Sequence, residues 1–257
     1  MRVRSLVPAA VAAFVLAAPS LPAQRMLVRE PSHYFNYGYN HSFWTTFTAI
    51  FNNAFGASNI DVAPAITPGG LAGYSALMLT LPDLPDQPYL LSSTEKTEIG
   101  AFLNGGGRLY VFGENGFWQA WDDDIASLVG ATAGGSFPGT VVHSAFGTGI
   151  LQGVNQVSCP ACGTFSSLGP NGVALFDTNV AGLFGPTQNA LYVLDVNVCD
   201  DVDIGSADNL QFCTNIGNYL NGSIPPVAST APEPASLALV GSGLSAIVLM
   251  GRRRRRV

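Results

Sequence analysis

Short hydrophobic runs and stretches of helical periodicity alternate through residues 24–222. Continuous apolar runs predict buried strands at 26–28, 59–62, 76–79, 108–112, 173–176 and 190–196. Apolar residues at helical spacing predict helices at 43–55, from Ser92 or Ser93 to 103, at 122–128 and at 209–220. The segment between 130 and 172 is rich in Gly, Ser and Thr, with short strand signals near Val141 and Val157. This alternation predicts an α/β fold with a doubly wound, mostly parallel sheet.

The amino end has a different pattern from the middle of the chain. Residues 1–23 place Arg2 and Arg4 before an uncharged apolar stretch that ends in small residues. This is the order of a secretory signal peptide, and the apolar part is short for a transmembrane span. A signal peptide implies export through the Sec translocon, and we expect residues 24–222 to form the exported domain.

The carboxyl end, residues 232–257, has three parts that follow a linker at 223–231. Pro232, Glu233 and Pro234 come first, an uncharged apolar run occupies 235–251, and the last part is Arg252, Arg253, Arg254, Arg255 and Arg256. As a helix the run reaches about 26 Å, and snorkelling arginines extend it across a core of about 30 Å. The arginines stay cytoplasmic by the positive-inside rule. We therefore expect a transmembrane helix that tethers the precursor to the membrane.

This three-part tail resembles the PEP-CTERM sorting signal. The resemblance rests on the stretch APEPASLAL at 231–239, the apolar run after it and the arginine cluster. It implies that an exosortase-type transpeptidase cuts at the Pro-Glu-Pro motif. The mature protein would then reach the cell surface or the exopolysaccharide matrix of a Gram-negative bacterium. An ordinary tail anchor is the alternative, which hydropathy alone does not separate from a sorting signal.

Charge is distributed unevenly along the chain, whose formal net charge is −6. The two ends hold most of the basic residues. Residues 24–231 keep only four basic residues against sixteen acidic ones, a net charge of −12. A nucleic-acid binder shows a basic footprint instead, so we expect no nucleic-acid partner.

The four cysteines, Cys159, Cys162, Cys199 and Cys213, are an even set in a chain with an export signal. Such a set favours structural disulfides, and four cysteines allow three pairings. We favour the local pairing of Cys159 with Cys162 and Cys199 with Cys213. The Cys-Pro-Ala-Cys stretch is also typical of a thioredoxin-type redox motif, although a Gly-, Ser- and Pro-rich loop surrounds it. A four-cysteine zinc site is a further alternative.

Three stretches of the domain resemble class I glutamine-amidotransferase-like, flavodoxin-like domains. They are TEKTEIGAFLNGGGRLYVFGENG at 94–116, GTGILQGV at 147–154, and ALYVLDVNVCDD with DNLQFCTNIGNYL within 190–220. In that family a cysteine nucleophile lies in a Gly-x-Cys-x-Gly turn, but here Glu114 takes its place and Phe112 replaces the first glycine. The His-x-Glu signature is also missing. The sequence therefore favours a non-enzymatic binding or structural protein on a reused scaffold.

Aromatic and acidic residues follow several predicted strands, at the edge where α/β sheets bind ligands. Aromatic rings with nearby acids and amides suit a glycan, although the same rings can simply pack the loops onto the sheet. The candidates for glycan binding are Tyr34, Tyr37, Tyr39, Trp44, Trp118 and Trp121. Glu114 and Asp195 are candidates for a pair of carboxylates that would make the protein a surface glycan hydrolase.

No cofactor is expected apart from Ca²⁺, for which Asp201, Asp203 and Asp208 are candidate ligands in an acidic loop. The loop lacks EF-hand spacing, and the alternative is a solvated loop in which Asp208 caps the last helix. The three histidines have no metal-ligand spacing, so each is expected to be an ordinary loop residue. A structural matrix protein without a small ligand is a further alternative for the whole chain.

Overall fold

The computed structural model describes residues 24–84, 89–136 and 140–226. The strands in these ranges are β1 (Met26–Arg29), β2 (Ile60–Ala63), β3 (Ala76–Leu79), β4 (Arg108–Phe112), β5 (Thr132–Ser136), β6 (Thr140–His143), β7 (Gln156–Cys159), β8 (Gly163–Ser167), β9 (Val173–Ala174), β10 (Ala181–Phe184) and β11 (Ala190–Val193). The α-helices are α1 (Thr45–Phe55), α2 (Ser93–Asn104), α3 (Gln119–Ser127) and α4 (Asn209–Leu220).

The central sheet has the strand order β2-β1-β3-β4-β11-β10-β9. Neighbours from β2 through β11 pair in parallel, and β10 and β9 continue the sheet antiparallel. Two small antiparallel ladders, β5 with β8 and β6 with β7, fill the segment before β9. The predicted α/β fold with a mostly parallel sheet is confirmed.

Helices cover both faces of this sheet. Tyr110 and Phe112 of β4 meet Phe47 of α1, with Phe47 and Phe112 ring centroids 5.4 Å apart. Tyr192 pairs in register with Val111, so its side chain leaves the sheet on the opposite face. There its hydroxyl donates to the carbonyl of a residue in α3. Strands buried on both faces need the continuous apolar runs that predicted them.

A buried ion pair fixes α2 against the sheet. Ser92 caps this helix and Glu95 completes a capping box, because each side chain binds the backbone amide of the other residue. Glu95 also accepts a 3.0 Å hydrogen bond from Nε of Arg29, the last residue of β1. Both side chains of the pair are almost fully buried. The sequence allows either Ser92 or Ser93 to cap this helix, and in the structure the cap is Ser92.

Several predicted features lie partly or wholly outside the described residues. These are the signal peptide at 1–23, most of the linker at 223–231, and the tail at 232–257 with its apolar run at 235–251. Within the described ranges, no helix combines the length and the hydrophobicity that crossing a membrane requires.

Candidate functional site

The carboxyl ends of β1, β3, β4 and β11 meet at one edge of the sheet, and the loops that leave them expose several large hydrophobic side chains. Five large hydrophobic side chains of these loops are exposed: Tyr34, Phe35, Leu84, Phe117 and Val202. Phe117 is 84% exposed. Ligands of open α/β sheets bind at this edge, and exposed apolar side chains gathered in one place mark interaction sites.

A cleft of about 190 Å³ opens at this edge. Tyr34, Tyr37 and Trp118 supply its aromatic lining, and the remaining lining residues are Leu81, Glu114, Asn115, Ala161, Val196 and Asn197. Tyr34 meets Trp118 edge-on, with ring centroids 4.9 Å apart. Indole Nε1 of Trp118 donates to the carbonyl of Pro82 at 3.2 Å, which fixes the orientation of this ring. The cleft therefore presents aromatic surfaces held in place by their neighbours.

Two asparagines contribute side-chain amides to the cleft. Nδ2 of Asn197 donates to the hydroxyl of Tyr37 at 3.0 Å and to Asp200 at 2.8 Å. Nδ2 of Asn115 donates to Oε1 of Glu114 at 2.7 Å. Both Nδ2 protons of Asn197 are therefore in use, and its Oδ1 is the group that it can offer to a ligand hydroxyl. Oδ1 of Asn115 already accepts from the backbone amide of Phe117 at 3.1 Å.

Glu114 lies in the cleft wall and is only 5% exposed. Its Oε2 accepts a 3.3 Å hydrogen bond from the backbone amide of Val196, and Oε1 binds the amide of Asn115. Burial, reinforced by the negative charge of Asp195, raises the pKa of Glu114 to about 8. The carboxyl group is therefore mostly protonated at neutral pH.

Asp195 lies beneath the cleft and is fully buried. Its two oxygens accept hydrogen bonds from the backbone amides of Asn197, at 2.8 Å, and Ala161, at 3.1 Å. Burial and the charges of Asp200 and Asp203 raise the pKa of Asp195 to about 7. The two candidate catalytic carboxyls thus both hold backbone amides, and only Glu114 reaches the cleft lining.

The disulfides support the loops around the cleft. Cys159 and Cys162 are joined across the turn between β7 and β8, with Cα atoms 5.7 Å apart. This turn carries Ala161 into the cleft wall, and Sγ of Cys162 lies 3.5 Å from Asp195. Both sulfur-bearing residues are buried and the motif opens no helix, unlike an exposed redox cysteine at a helix start. Cys199 and Cys213 are also joined, with Cα atoms 5.9 Å apart.

Three of the six candidate glycan-binding aromatics belong to the core, so the expectation fails for Tyr39, Trp44 and Trp121. The hydroxyl of Tyr39 donates to Asn52 at 3.2 Å. Nε1 of Trp121 donates to the carbonyl of Phe112 at 2.8 Å, and the ring of Trp44 lies 4.4 Å from the Phe112 ring. Rings that are buried inside the domain offer no surface to a ligand.

Two of the candidate calcium ligands, Asp201 and Asp208, bind backbone amides at separate places. Asp201 accepts hydrogen bonds from the amides of Thr45 and Thr46, both at 2.9 Å, and so caps α1. Asp208 binds the amide of Asn155 at 2.8 Å and makes no capping bond to α4, contrary to the alternative that it caps this helix. Asp203 lies beside Asp200. Among the described residues, the groups arranged to share an ion do not include these aspartates.

A larger cavity of about 400 Å³ lies at the amino end of β11, between α2 and the turn after β10. Its lining carries no ionisable side chain; Asn104, Asn171, Thr187 and Asn189 are the polar residues there. The chemistry-bearing residues therefore gather at the opposite edge. Sequence reasoning identified that edge, but it missed Leu81, Ala161 and Val196, which are apolar and carry no chemical signal of their own.

Comparison with protein families gives one match, over residues 230–256, to the PEP-CTERM protein-sorting motif. The chain carries a PEP-CTERM sorting motif. The match includes the Pro-Glu-Pro residues and the arginine cluster that the sequence singled out. This motif marks the chain as an exported protein processed by an exosortase and sorted to the surface of a Gram-negative cell. No curated protein matches the chain significantly in sequence.

Solved structures resemble the domain in fold alone. The mmIFT52 N-terminal domain aligns with a TM-score of 0.61 at 14% identity, covering 77% of this chain and 97% of that one. A Thermoplasma acidophilum protein described as part of a GMP synthase aligns with a TM-score of 0.51 at 11% identity, covering 78% and 95%. The chain thus shares the overall α/β fold of these two structures, while identities this low carry no activity across.

Proposed function

We propose that the domain is a non-catalytic binding module, which holds a glycan of the cell surface or exopolysaccharide matrix in the cleft at the carboxyl edge of the sheet. The observation that carries this proposal is the combination of fixed aromatic rings with asparagine amides in one cleft. Aromatic rings pack against the apolar face of a sugar, and amides bind its hydroxyls. Tyr34, Tyr37 and Trp118 would supply the rings, and Asn115 and Asn197 the amides.

The size of the cleft defines how much ligand it takes. Its 190 Å³ is below the roughly 300–1,000 Å³ of pockets that enclose a drug-sized molecule. A short stretch of a polysaccharide would therefore rest in the cleft while the rest of the polymer continues over the exposed apolar loops. The net charge of −12 over residues 24–231 would repel an anionic polymer, so a neutral glycan fits best.

The proposed route to the surface uses both ends of the chain. The signal peptide at 1–23 directs export, and the apolar run at 235–251 tethers the precursor until the Pro-Glu-Pro motif is cut. Mass spectrometry of the carboxyl terminus of the surface-exposed protein tests this route. A mature end near residues 232–234 is expected, and surface protein that retains residues 252–256 contradicts processing.

A surface glycan hydrolase is the second candidate, because the raised pKa of Glu114 matches that of a general acid. A pair of catalytic carboxyls must both reach the substrate, one as acid and one as base or nucleophile. Asp195 is fully buried and holds two backbone amides, which counts against this candidate. A structural matrix protein without a small ligand is the remaining alternative.

Binding and turnover are measured together on the full-length protein in detergent, against a panel of neutral and acidic glycans. We expect binding without release of reducing sugar, and a roughly tenfold or greater loss of affinity in Trp118→Ala. Val62→Ala is the control, because this exposed side chain on β2 lies outside the cleft lining and outside the loops over which the polymer would continue, so affinity should not change. Turnover that disappears in Glu114→Gln would instead establish the hydrolase, and no glycan binding would favour the matrix protein.

A further inference from the structure

Two histidines and a glutamate meet at the carboxyl end of β1. Glu30 follows this strand, and its backbone amide donates to the carbonyl of Ala63 at 2.8 Å, which extends the pairing with β2. The loop then returns on itself, so that the rings of His33 and His41 have centroids 3.6 Å apart. The sequence predicted two ordinary loop histidines here. In the structure both histidines lie beside the carboxylate of Glu30 instead.

The distances between the donor atoms are those of ligands around a small ion. Oε1 of Glu30 lies 3.6 Å from Nε2 of His41 and 3.9 Å from Nδ1 of His33. Both distances exceed the 2.7–3.2 Å of a hydrogen bond. One donor atom from each of the three residues lies within 4.8 Å of the others. Tetrahedral Zn²⁺, with bonds of about 2.0–2.1 Å, places its ligand atoms about 3.3 Å apart, so small side-chain movements suffice.

The surroundings hold the glutamate in place for this arrangement. Its Oε2 accepts a 2.6 Å hydrogen bond from the backbone amide of Tyr39, which leaves Oε1 for the imidazoles. Hydrogen bonds of this kind orient metal-ligating carboxylates. A Cβ at Gly38 would lie 2.7 Å from Cδ2 of His41 and 2.9 Å from Cβ of His33. Only glycine lets the loop close so tightly on the two rings.

The backbone of the loop adopts strained conformations in order to close in this way. Phe35 and Asn40 have φ angles of 52° and 67°, in the left-handed region that non-glycine residues seldom adopt. Strained residues of this kind persist where the surrounding structure fixes them, and they cluster at functional sites.

The electrostatics leave the cluster without a cation. Among the described residues, no lysine or arginine pairs with Glu30, whose side chain is only 8% exposed. A buried carboxylate is costly without a cationic partner, and a bound divalent cation would supply that charge.

We propose that Glu30, His33 and His41 form a binding site for a divalent transition-metal ion of the zinc class. Imidazole and carboxylate together are a donor set of such ions. The two histidine side chains are 34% and 35% exposed, so a fourth position opens to solvent for water or a ligand oxygen. The proposed site shares its loop with Tyr34 and Tyr37 of the cleft, but none of its three ligands belongs to the cleft lining.

The test uses full-length protein with a histidine-free affinity tag, stripped of metal by a chelator and titrated with Zn²⁺ against a competing indicator. We expect about one Zn²⁺ per chain and a tetrahedral-type visible spectrum with Co²⁺. His33→Ala and His41→Ala should each weaken Zn²⁺ binding by roughly tenfold or more. His143→Ala is the matched control, because this exposed histidine pairs with Asp177 elsewhere and its removal should change nothing.

Two results would overturn the proposal. One is stripped wild-type protein that binds no stoichiometric Zn²⁺, a measurement that depends on no variant. The other is a loss in His143→Ala as large as that in His41→Ala. Thermal unfolding of each metal-free variant accompanies the titration. Removing a partly exposed side chain should lower the free energy of unfolding by roughly 1 kcal/mol or less. A variant that stays folded but no longer binds Zn²⁺ therefore shows that the removed side chain is a ligand.

Discussion

Replacing Glu114 by glutamine should change how the stability of the domain depends on pH. The folded state holds the proton of Glu114 up to about pH 8, whereas an ordinary glutamate releases it near pH 4.5. Between these values the folded state binds more protons than the unfolded chain, so the free energy of unfolding falls as pH rises. The slope is about 1.4 kcal/mol per pH unit, or about 3 kcal/mol over two units.

Glu114→Gln removes the contribution of Glu114 to this pH dependence and lowers the free energy of unfolding by an amount that does not depend on pH. The amide nitrogen that replaces Oε2 does not accept the hydrogen bond from Val196, and an unpaired buried donor costs about 1–3 kcal/mol. At about pH 5.5 the wild type has lost only about 1.4 kcal/mol, so the variant should be comparable to it or up to about 2 kcal/mol less stable. At about pH 8 it should equal or exceed the wild type, because the wild type then carries a buried charge.

The assay is urea unfolding followed by tryptophan fluorescence, with the disulfides kept oxidised, at several values between about pH 5.5 and pH 8.5. Glu98→Gln, a partly exposed change on α2, is the matched control and should run parallel to the wild type. Asp195 makes its own contribution to the pH dependence of stability below its pKa of about 7. Glu114→Gln should therefore weaken the dependence of the free energy of unfolding on pH without abolishing it. A wild-type profile that stays flat, or equal slopes in wild type and Glu114→Gln, would refute the reasoning.

Two further predictions concern the framework of the domain. Glu95→Gln leaves the charge of Arg29 buried without its partner and should lower the free energy of unfolding by roughly 3–5 kcal/mol, whereas Lys96→Ala breaks a partly exposed pair and should cost about 1 kcal/mol or less. Urea unfolding measures both, and similar costs would contradict the burial argument. Replacing Cys199 and Cys213 by serine opens a loop of 14 residues and should cost about 3 kcal/mol; an unchanged thermal midpoint would show that the loop is held by other contacts.

The parts of the fold that the sequence predicted are those whose residues carry a hydrophobic signal. The limits of β3, β4 and α4 agree with the expected 76–79, 108–112 and 209–220. Strand β5 reads TAGGS, without apolar alternation, and forms because β8 pairs with it across a long loop. Antiparallel β10 was not predicted although its four residues, AGLF, are all buried, because an apolar run this short does not by itself identify a strand.

The candidate site was predictable as an edge but not as a set of side chains. Residues after β1, β4 and β11 were expected to meet, and they do. Which tryptophan faces the cleft depends on the path of each loop, and Trp118 and Trp121 are only three residues apart. The first lines the cleft and the second is fully buried. The meeting of His33 with His41 follows from tight turns around Gly38, which no residue spacing reveals.

The cap on α1 links the order of synthesis to the order of folding. Asp201 binds the amides of Thr45 and Thr46 from 156 and 155 residues further along the chain. The amino end is synthesised long before Asp201, so α1 lacks this cap while most of the domain is made. Contacts this distant in sequence slow folding, because a long loop must close before they form. The sorting motif at 230–256 follows soon after Asp201, so the residue that caps α1 and the address of the chain are made almost together.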